Sequence, residues 1–403
     1  MPVSTFDELI SLESAQGMVL EHVAAVVRTE SVGIGDALGR VLSEDVIACY
    51  DVPGYNRAAK DGFAVRTEDT QDASAVAPVI LRLVDTVCSG EIAMGRLGAG
   101  TCIEVATGSM IPEGADAVVM VEETDVSGDR ISIRRAVAPL DNMGLRGENI
   151  CRGDTVMKKG EWLTYRKIGV LASQGMEQVN VLSRPTVAVV PTGDEVIVSG
   201  MKLGLGQMYD VNSYNLAAVV KENGGTAVTL AVARDDAGCL KDRLNEALKA
   251  DLVVTSGGVS VGRKDLLASA LQEIGRVYFH GVRIKPGRPT MFAVVGGKPV
   301  LGMPGYPAAC FINAYLLLGP AVRKMAGLPP RNDVSIEAKL GERVFGAGNS
   351  RRFQLVRFEG DTAHLLPTKP SSVLNIARAD GYVVVPEGRD YLDQGSIAKV
   401  VLF

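Results

Sequence analysis

The segment Thr255-Ser-Gly-Gly-Val-Ser-Val-Gly-Arg-Lys-Asp265 combines residue types that bind anions with one that can hold a cation. Leu252, Val253 and Val254 precede it as a short apolar run typical of a strand covered on both faces, and Leu266, Leu267, Ala270, Leu271 and Ile274 follow at helical spacing. A glycine loop between strand and helix lets backbone N–H groups approach an anion, with the positive end of the helix dipole behind them. Ser256, Gly257, Gly258, Ser260 and Gly262 are the candidate phosphate-binding positions. Gly257 and Gly262 have Walker A spacing, but Arg263 and Lys264 stand where Lys and Ser/Thr belong, which excludes an NTPase P-loop. The ordinary reading of the same residues is a tight turn with Asp265 capping the helix. The loop alone does not separate the two.

Two more acids follow predicted strands. Val187–Val190 runs into Pro191-Thr-Gly-Asp-Glu195, and Ala227–Ala233 runs into Arg234-Asp-Asp236. Helices are predicted from about Asn212 to Asn223, stopped by Gly224-Gly225, and from about Leu240 to Leu248. The order βαβαβα predicts a parallel sheet with crossover helices. Glu195, Asp235 and Asp265 then fall at the carboxyl ends of parallel strands, where doubly wound sheets bind ligands. One such acid is an ordinary cap. Three beside glycine loops suit a hard cation such as Mg²⁺, held by carboxylate and phosphate oxygens. Lys285 and Arg288 lie in the proline-stiffened loop Ile284-Lys-Pro-Gly-Arg-Pro289 and are candidate anion ligands, the alternative being solvated surface charge. Leu301-Gly-Met-Pro-Gly-Tyr-Pro307 is a second stiff loop before a helix.

The rest of the chain must position this group. At 403 residues it is long enough for roughly two to four domains. With 47% hydrophobic and 22% charged residues the composition is that of a globular protein. A net charge of -5 argues against nucleic acid as the main partner. Asp7, Glu8 and Glu13 leave no room for the basic and apolar regions of a signal peptide, and no apolar run approaches membrane-spanning length. Six scattered cysteines without a CxxC pair read as reduced thiols in a cytoplasmic protein. Three distant histidines support neither a zinc site nor a histidine-based triad.

A loosely patterned helix is predicted from Phe6 to about Val27, with a second helical piece after it. Between Asp51 and Pro139 short β-type runs such as Pro78–Val84 and Ala117–Val121 alternate with Gly and Asp turns, giving an inserted β-rich domain. Its loops at Lys60-Asp61-Gly62 and Ala106-Thr-Gly108 are ordinary turns on their own evidence. Ile168–Gly175 reads as a helix ending at glycine. Beyond Pro329-Pro330, alternating runs at Val334–Leu340, Phe353–Phe358 and Ile397–Phe403 predict a small β-barrel or sandwich. The domain boundaries expected are 1–50 with 140–180 for a discontinuous N-terminal domain, 51–139, 181–327 and 328–403.

The ordered phrases Asp51-Val-Pro-Gly, Asp61-Gly-Phe-Ala-Val, Ala106-Thr-Gly, Gly114-Ala-Asp-Ala-Val-Val, Thr192-Gly-Asp-Glu, Ser256-Gly-Gly-Val-Ser-Val-Gly, Ile284-Lys-Pro-Gly and Met303-Pro-Gly resemble the MoeA/gephyrin E-domain family over nearly the whole chain. That resemblance implies an elongated four-part subunit and a homodimer with a shared active site. It implies a Mg²⁺-dependent molybdopterin molybdenumtransferase, which takes adenylylated molybdopterin and molybdate, or tungstate, and releases AMP. The implied functional positions are Asp61, Thr107, Glu195, Asp235, Asp265, Lys285, Pro304 and Pro307, with Ser371 and Ser372 near a serine of the C-terminal domain. The chain departs from the family pattern at Asn149, Gly281, Lys60 and Tyr306, where Asp, Lys, Met and Asn are frequent. A non-catalytic pterin-binding scaffold and an adenylyltransferase acting one step earlier are the competing readings.

Overall fold

The computed structural model describes residues 9–259, 266–367, 369 and 372–403. Ser260, Gly262, Asp265 and Ser371 lie outside them. Backbone contacts divide the chain into two units, one formed by residues up to 31, 39–43 and 180–403, the other by 32–38 and 44–179. Among the described residues no helix is long and apolar enough to cross a membrane.

The 44–179 unit holds a six-stranded sheet in the order Ala117–Met120, Gly62–Val65, Thr101–Val105, Val79–Val87, Arg130–Ile133, Thr124–Ser127. All its pairs are antiparallel except Val79–Val87 with Thr101–Val105. The Gly62–Val65 strand is buried on both faces. Phe63 and Val65 pack with Leu81, Ile131 and Ile133, whereas Ala64 packs on the other side with Ile103 and Val118. That two-sided burial explains the unbroken apolar run in the sequence. The helical piece expected after the first helix is a single 3-10 turn, Ile34–Asp36.

The larger unit contains the sheet that carries the acids. Its order is Thr226–Thr229, Thr186–Pro191, Leu252–Ser256, Lys298–Met303, Met291–Val295, Arg276–His280. The first four strands are parallel, as the βα alternation requires. Met291–Val295 runs antiparallel to both its neighbours and joins Lys298–Met303 through a hairpin whose turn residues Gly296 and Gly297 both have positive φ, so that Arg276–His280 at the edge again points the same way as the first four. Side chains of Leu252–Ser256 alternate across the sheet. Leu252 and Val254 join a core with Val187, Val189, Leu216 and Leu317, and Val253 joins a second core with Val190, Leu244 and Leu271. Helices therefore cover both faces, which is the doubly wound arrangement.

Several boundaries move from those read in the sequence. The described part of the first helix is Leu12–Glu21, opened by the Ser11 hydroxyl accepting from the Ser14 N–H. The helix expected near Leu240 begins at Ala237, because the Asp236 carboxylate accepts from the Cys239 N–H and caps it. The Thr226–Thr229 strand is shorter than expected, and Ala233 returns to the sheet edge as an isolated parallel bridge to Thr192.

The C-terminal segment closes on itself. Arg351–Glu359, Thr362–Leu365, Ser335–Leu340, Ile397–Leu402 and Gly381–Val385 pair in that order, and the last pairs back to the first to give a five-stranded barrel. Ile284–Lys285 adds a short parallel strand against Arg351 and Arg352.

At the opposite end of the parallel sheet from the acids, Asp251 ties two strand starts together. Its carboxylate accepts from Arg28 at 3.0 and 2.7 Å, and from the Thr186 N–H and hydroxyl at 2.8 Å each. The Arg28 bonds, then those of Thr186, hold this carboxyl well below the usual range against the opposing effect of burial. Asp251→Asn is expected to cost about 2 kcal/mol at pH 7, a charge-assisted bond discounted for the exposure of Arg28. A depressed folded-state pKa confers stability above the unfolded value of about 3.9 and loses it as pH falls through the folded one. Urea midpoints at pH 7 and pH 3 test this: the gap between the two proteins narrows at pH 3, and an equal gap at both would show that Asp251 acts by packing alone.

Candidate functional site

Three loops meet at the carboxyl edge of the parallel strands. The Thr192 N–H and hydroxyl both donate to the Ser256 carbonyl, at 3.1 and 3.0 Å, and the Gly193 N–H donates to the Ala233 carbonyl at 3.1 Å. These bonds draw the 192–195, 233–235 and 256–258 segments to one place. Gly193 has φ +124°, and a Cβ there would stand 2.8 Å from both carboxylate oxygens of Glu195, so the glutamate side chain occupies the space that a larger residue would take. Gly257 has φ +96°, with the Thr192 hydroxyl 2.7 Å from where its Cβ would be. Both positions demand glycine.

A pocket of about 770 Å³ opens here, within the size range of small-molecule sites. Glu195 and Asp235 line it with Ser256, Gly257 and Gly258. Pro304 and Pro307 form another wall, joined to the first where the Gly257 N–H donates to the Met303 carbonyl at 2.9 Å. The structure thus brings together most of the described positions singled out on the parallel-sheet edge. Lys285 and Arg288 stand exposed on their loop, and the residue of that loop on the pocket wall is Pro289. Ser372 donates its hydroxyl to the Pro367 carbonyl at 3.0 Å, and its neighbour Val373 lines the pocket.

Asp61 and Thr107 belong to the 44–179 unit and are paired. Asp61 Oδ1 accepts from the Thr107 N–H at 2.6 Å and from its hydroxyl at 2.8 Å, and these bonds hold the Asp61 carboxyl below the ordinary range. The Ser89 hydroxyl steadies the same loop by donating to the Thr107 carbonyl at 3.0 Å.

Other contributors escaped the sequence. Asp194 Oδ1 accepts from the Asp235 N–H at 3.2 Å, and the Asp194 carbonyl accepts from Arg234 at 2.8 Å, so one acid holds the loop that bears another. A ring nitrogen of His280 lies 2.7 Å from the Val259 carbonyl and steadies the glycine loop. Asp210 and Asn212 also line the pocket, beside Tyr306 of the second stiff loop, which the sequence already singles out. Among the described residues no group of three or more His, Cys, Asp or Glu side chains is arranged to hold a metal. Glu195 and Asp235 are two hard-oxygen donors at one cavity, which fits a Mg²⁺ that takes one or two carboxylates and fills its shell with phosphate and water.

A parallel sheet with glycine loops and carboxylates around a cavity at its strand ends defines a doubly wound ligand-binding domain of the kind that takes phosphate-bearing cofactors. Residues 188–324, which contain it, match the family model described as a probable molybdopterin binding domain. Residues 10–175 match the MoeA N-terminal region, domains I and II, and residues 337–403 the MoeA C-terminal region, domain IV. The chain is 33% identical over 399 residues to a Staphylococcus epidermidis protein named molybdopterin molybdenumtransferase, covering 97% of this chain and 94% of that one. A Staphylococcus aureus protein of the same name is 32% identical, with 95% of each chain covered. The crystal structure of the molybdopterin biosynthesis MoeA protein from Pyrococcus horikosii superposes with a TM-score of 0.85 at 36% identity, covering 98% of this chain and 99% of that one. A second MoeA structure, from Pyrococcus horikoshii OT3, gives 0.82 at 30%, covering 98% and 100%. The chain belongs to the MoeA family of molybdenum cofactor biosynthesis.

Proposed function

We propose that this protein is a molybdopterin molybdenumtransferase that inserts molybdenum from molybdate into adenylylated molybdopterin and releases AMP. The observation that carries the reading is the pairing of Glu195 and Asp235 on one pocket at the parallel strand ends, inside the segment matched as molybdopterin-binding. Glu195 and Asp235 would hold Mg²⁺, with Asp265 as the third acid of the group. The ion supplies neutralisation of the charge that develops on the phosphoanhydride as it breaks. Thr192, Gly257 and Gly258 shape a backbone cradle for the phosphates. In the family reading Lys285 and Arg288 attract the oxyanion, Pro304 and Pro307 keep the opposing wall stiff, and Asp61 and Thr107 complete the catalytic set. The protein acts in the cytoplasm as a homodimer whose subunits share each active site. A native mass equal to one 42.5 kDa chain would end the dimer part of the reading.

The test incubates purified protein with adenylylated molybdopterin, Mg²⁺ and molybdate or tungstate, and follows AMP. Release is expected only when metal and an oxyanion are both present. Tight binding of the nucleotide without AMP release under any condition would make the protein a pterin carrier instead. Consumption of ATP with free molybdopterin would place it one step earlier.

A further inference from the structure

Two residues at the start of the Asn212–Glu222 helix carry acceptor oxygens that no donor reaches among the described residues. Asp210 and Asn212 both line the pocket, and they are only 9% and 7% exposed. The Asn212 amide is fixed in orientation: its Nδ2 donates to the Ser256 hydroxyl and to the Gly305 carbonyl, each at 2.8 Å. A carbonyl only accepts, so turning the amide over would set oxygen against oxygen. Oδ1 therefore stays on the other side, buried and without a hydrogen bond among the described residues. Buried acceptors without a donor are rare and ask for an explanation.

Asp210 has a similar surplus. Its Oδ1 accepts from the Ser213 N–H at 3.0 Å, which accounts for one oxygen as a helix cap. Among the described residues no hydrogen bond reaches Oδ2 and no cation pairs with the carboxylate. A charged group this buried is normally paired. One wall of the pocket thus holds a carboxylate oxygen on its accessible side and a buried amide oxygen, two residues apart, that both lack a donor among the described residues.

A ring with two adjacent N–H donors meets that need. The 2-amino-4-oxo half of a pterin presents N2–H and N3–H side by side, whereas adenine flanks its amino group with ring nitrogens that accept. We propose that Asp210 and Asn212 read the N2–H/N3–H edge of the pterin ring and set its orientation in the pocket. The inference rests on the pterin substrate proposed above. Asn212 Oδ1 exposes less than 1 Å². The ring reaches it only by displacing what covers it, and Asp210 is the outer contact.

The test compares pterin with lumazine, in which a carbonyl replaces the 2-amino group. Binding is followed by ring fluorescence, and Mn²⁺ affinity is measured alongside. The unsubstituted protein is expected to prefer pterin at least tenfold. Asp210→Asn retains the cap to Ser213 but turns an acceptor into a donor, so the preference should vanish or invert towards lumazine; Asp210→Ser, which also caps, should erase it. No preference in the unsubstituted protein, including no binding of either ring, overturns the proposal. So does a variant that loses both rings equally, which marks a structural role, or one that loses only Mn²⁺, which marks a metal ligand. AMP release without ring preference would sink this inference alone, and ring preference without AMP release would sink only the proposed reaction.

Discussion

Glu195→Gln lowers AMP release at least a hundredfold, the equivalent of about 2.7 kcal/mol of transition-state stabilisation, while the protein keeps its thermal midpoint. Glutamine has the shape of glutamate and fits the same space over Gly193, so packing is preserved and the negative charge is removed. If Glu195 holds the cation, Mn²⁺ affinity falls along with turnover. Its pocket partner Asp235 is placed by the Asp194 bond to its own N–H, so its loop does not depend on the glutamate. Turnover within twofold of the unsubstituted enzyme would remove Glu195 from the chemistry and leave it as a loop residue.

Gly193→Ala is the complementary experiment, because it changes no charge at all. The added methyl needs the space now held by both Glu195 carboxylate oxygens, and φ of +124° is strained for any side chain. The glutamate must swing away or the loop must move, and a misplaced catalytic group costs about a hundredfold. We expect a fall of that order in kcat/KM, with Tm lowered by a few degrees from backbone strain of about 1–3 kcal/mol. A double variant separates the two causes. In the Glu195→Gln background the alanine should add little further loss, since the residue it displaces has already lost its charge. Full additivity would show that Gly193 acts on something other than Glu195.

What the sequence could and could not disclose follows from the range of each interaction. Periodicity found the Leu252–Ser256 strand and the helices at Asn212 and Leu266, because burial on one or both faces repeats along the chain itself. Parallel pairing then placed Glu195 and Asp235 on one edge without any knowledge of contacts. Asp194 was invisible for the opposite reason: it has no pattern of its own, and its bond runs to a residue forty-one positions away. His280 reads as a lone histidine until a hairpin strand brings it beneath Val259. Asn212 reads in the sequence only as the start of a helix, and it takes the direction of an amide fixed by Gly305 to expose its surplus oxygen. The reversed strand Met291–Val295 escapes the sequence because a run of βα units gives no warning of where a hairpin interrupts the alternation.

The short strand Ile284–Lys285 has a mechanical consequence. Pro329-Pro330 reads as a hinge, yet the barrel beyond it is stitched to the doubly wound domain at a second place. Lys285 pairs with Arg352, the Arg351 N–H donates to the Arg283 carbonyl at 2.9 Å, and the Arg351 guanidinium reaches Glu13 at 2.6 Å. A protease cut at the proline pair would therefore leave two fragments that still travel together through a column. The loop bearing Lys285 and Arg288 also inherits its stiffness from a sheet whose strands come almost entirely from after the cut. The C-terminal barrel is thus less an appended module than the anvil against which that loop is held, and its removal should be felt first at the loop.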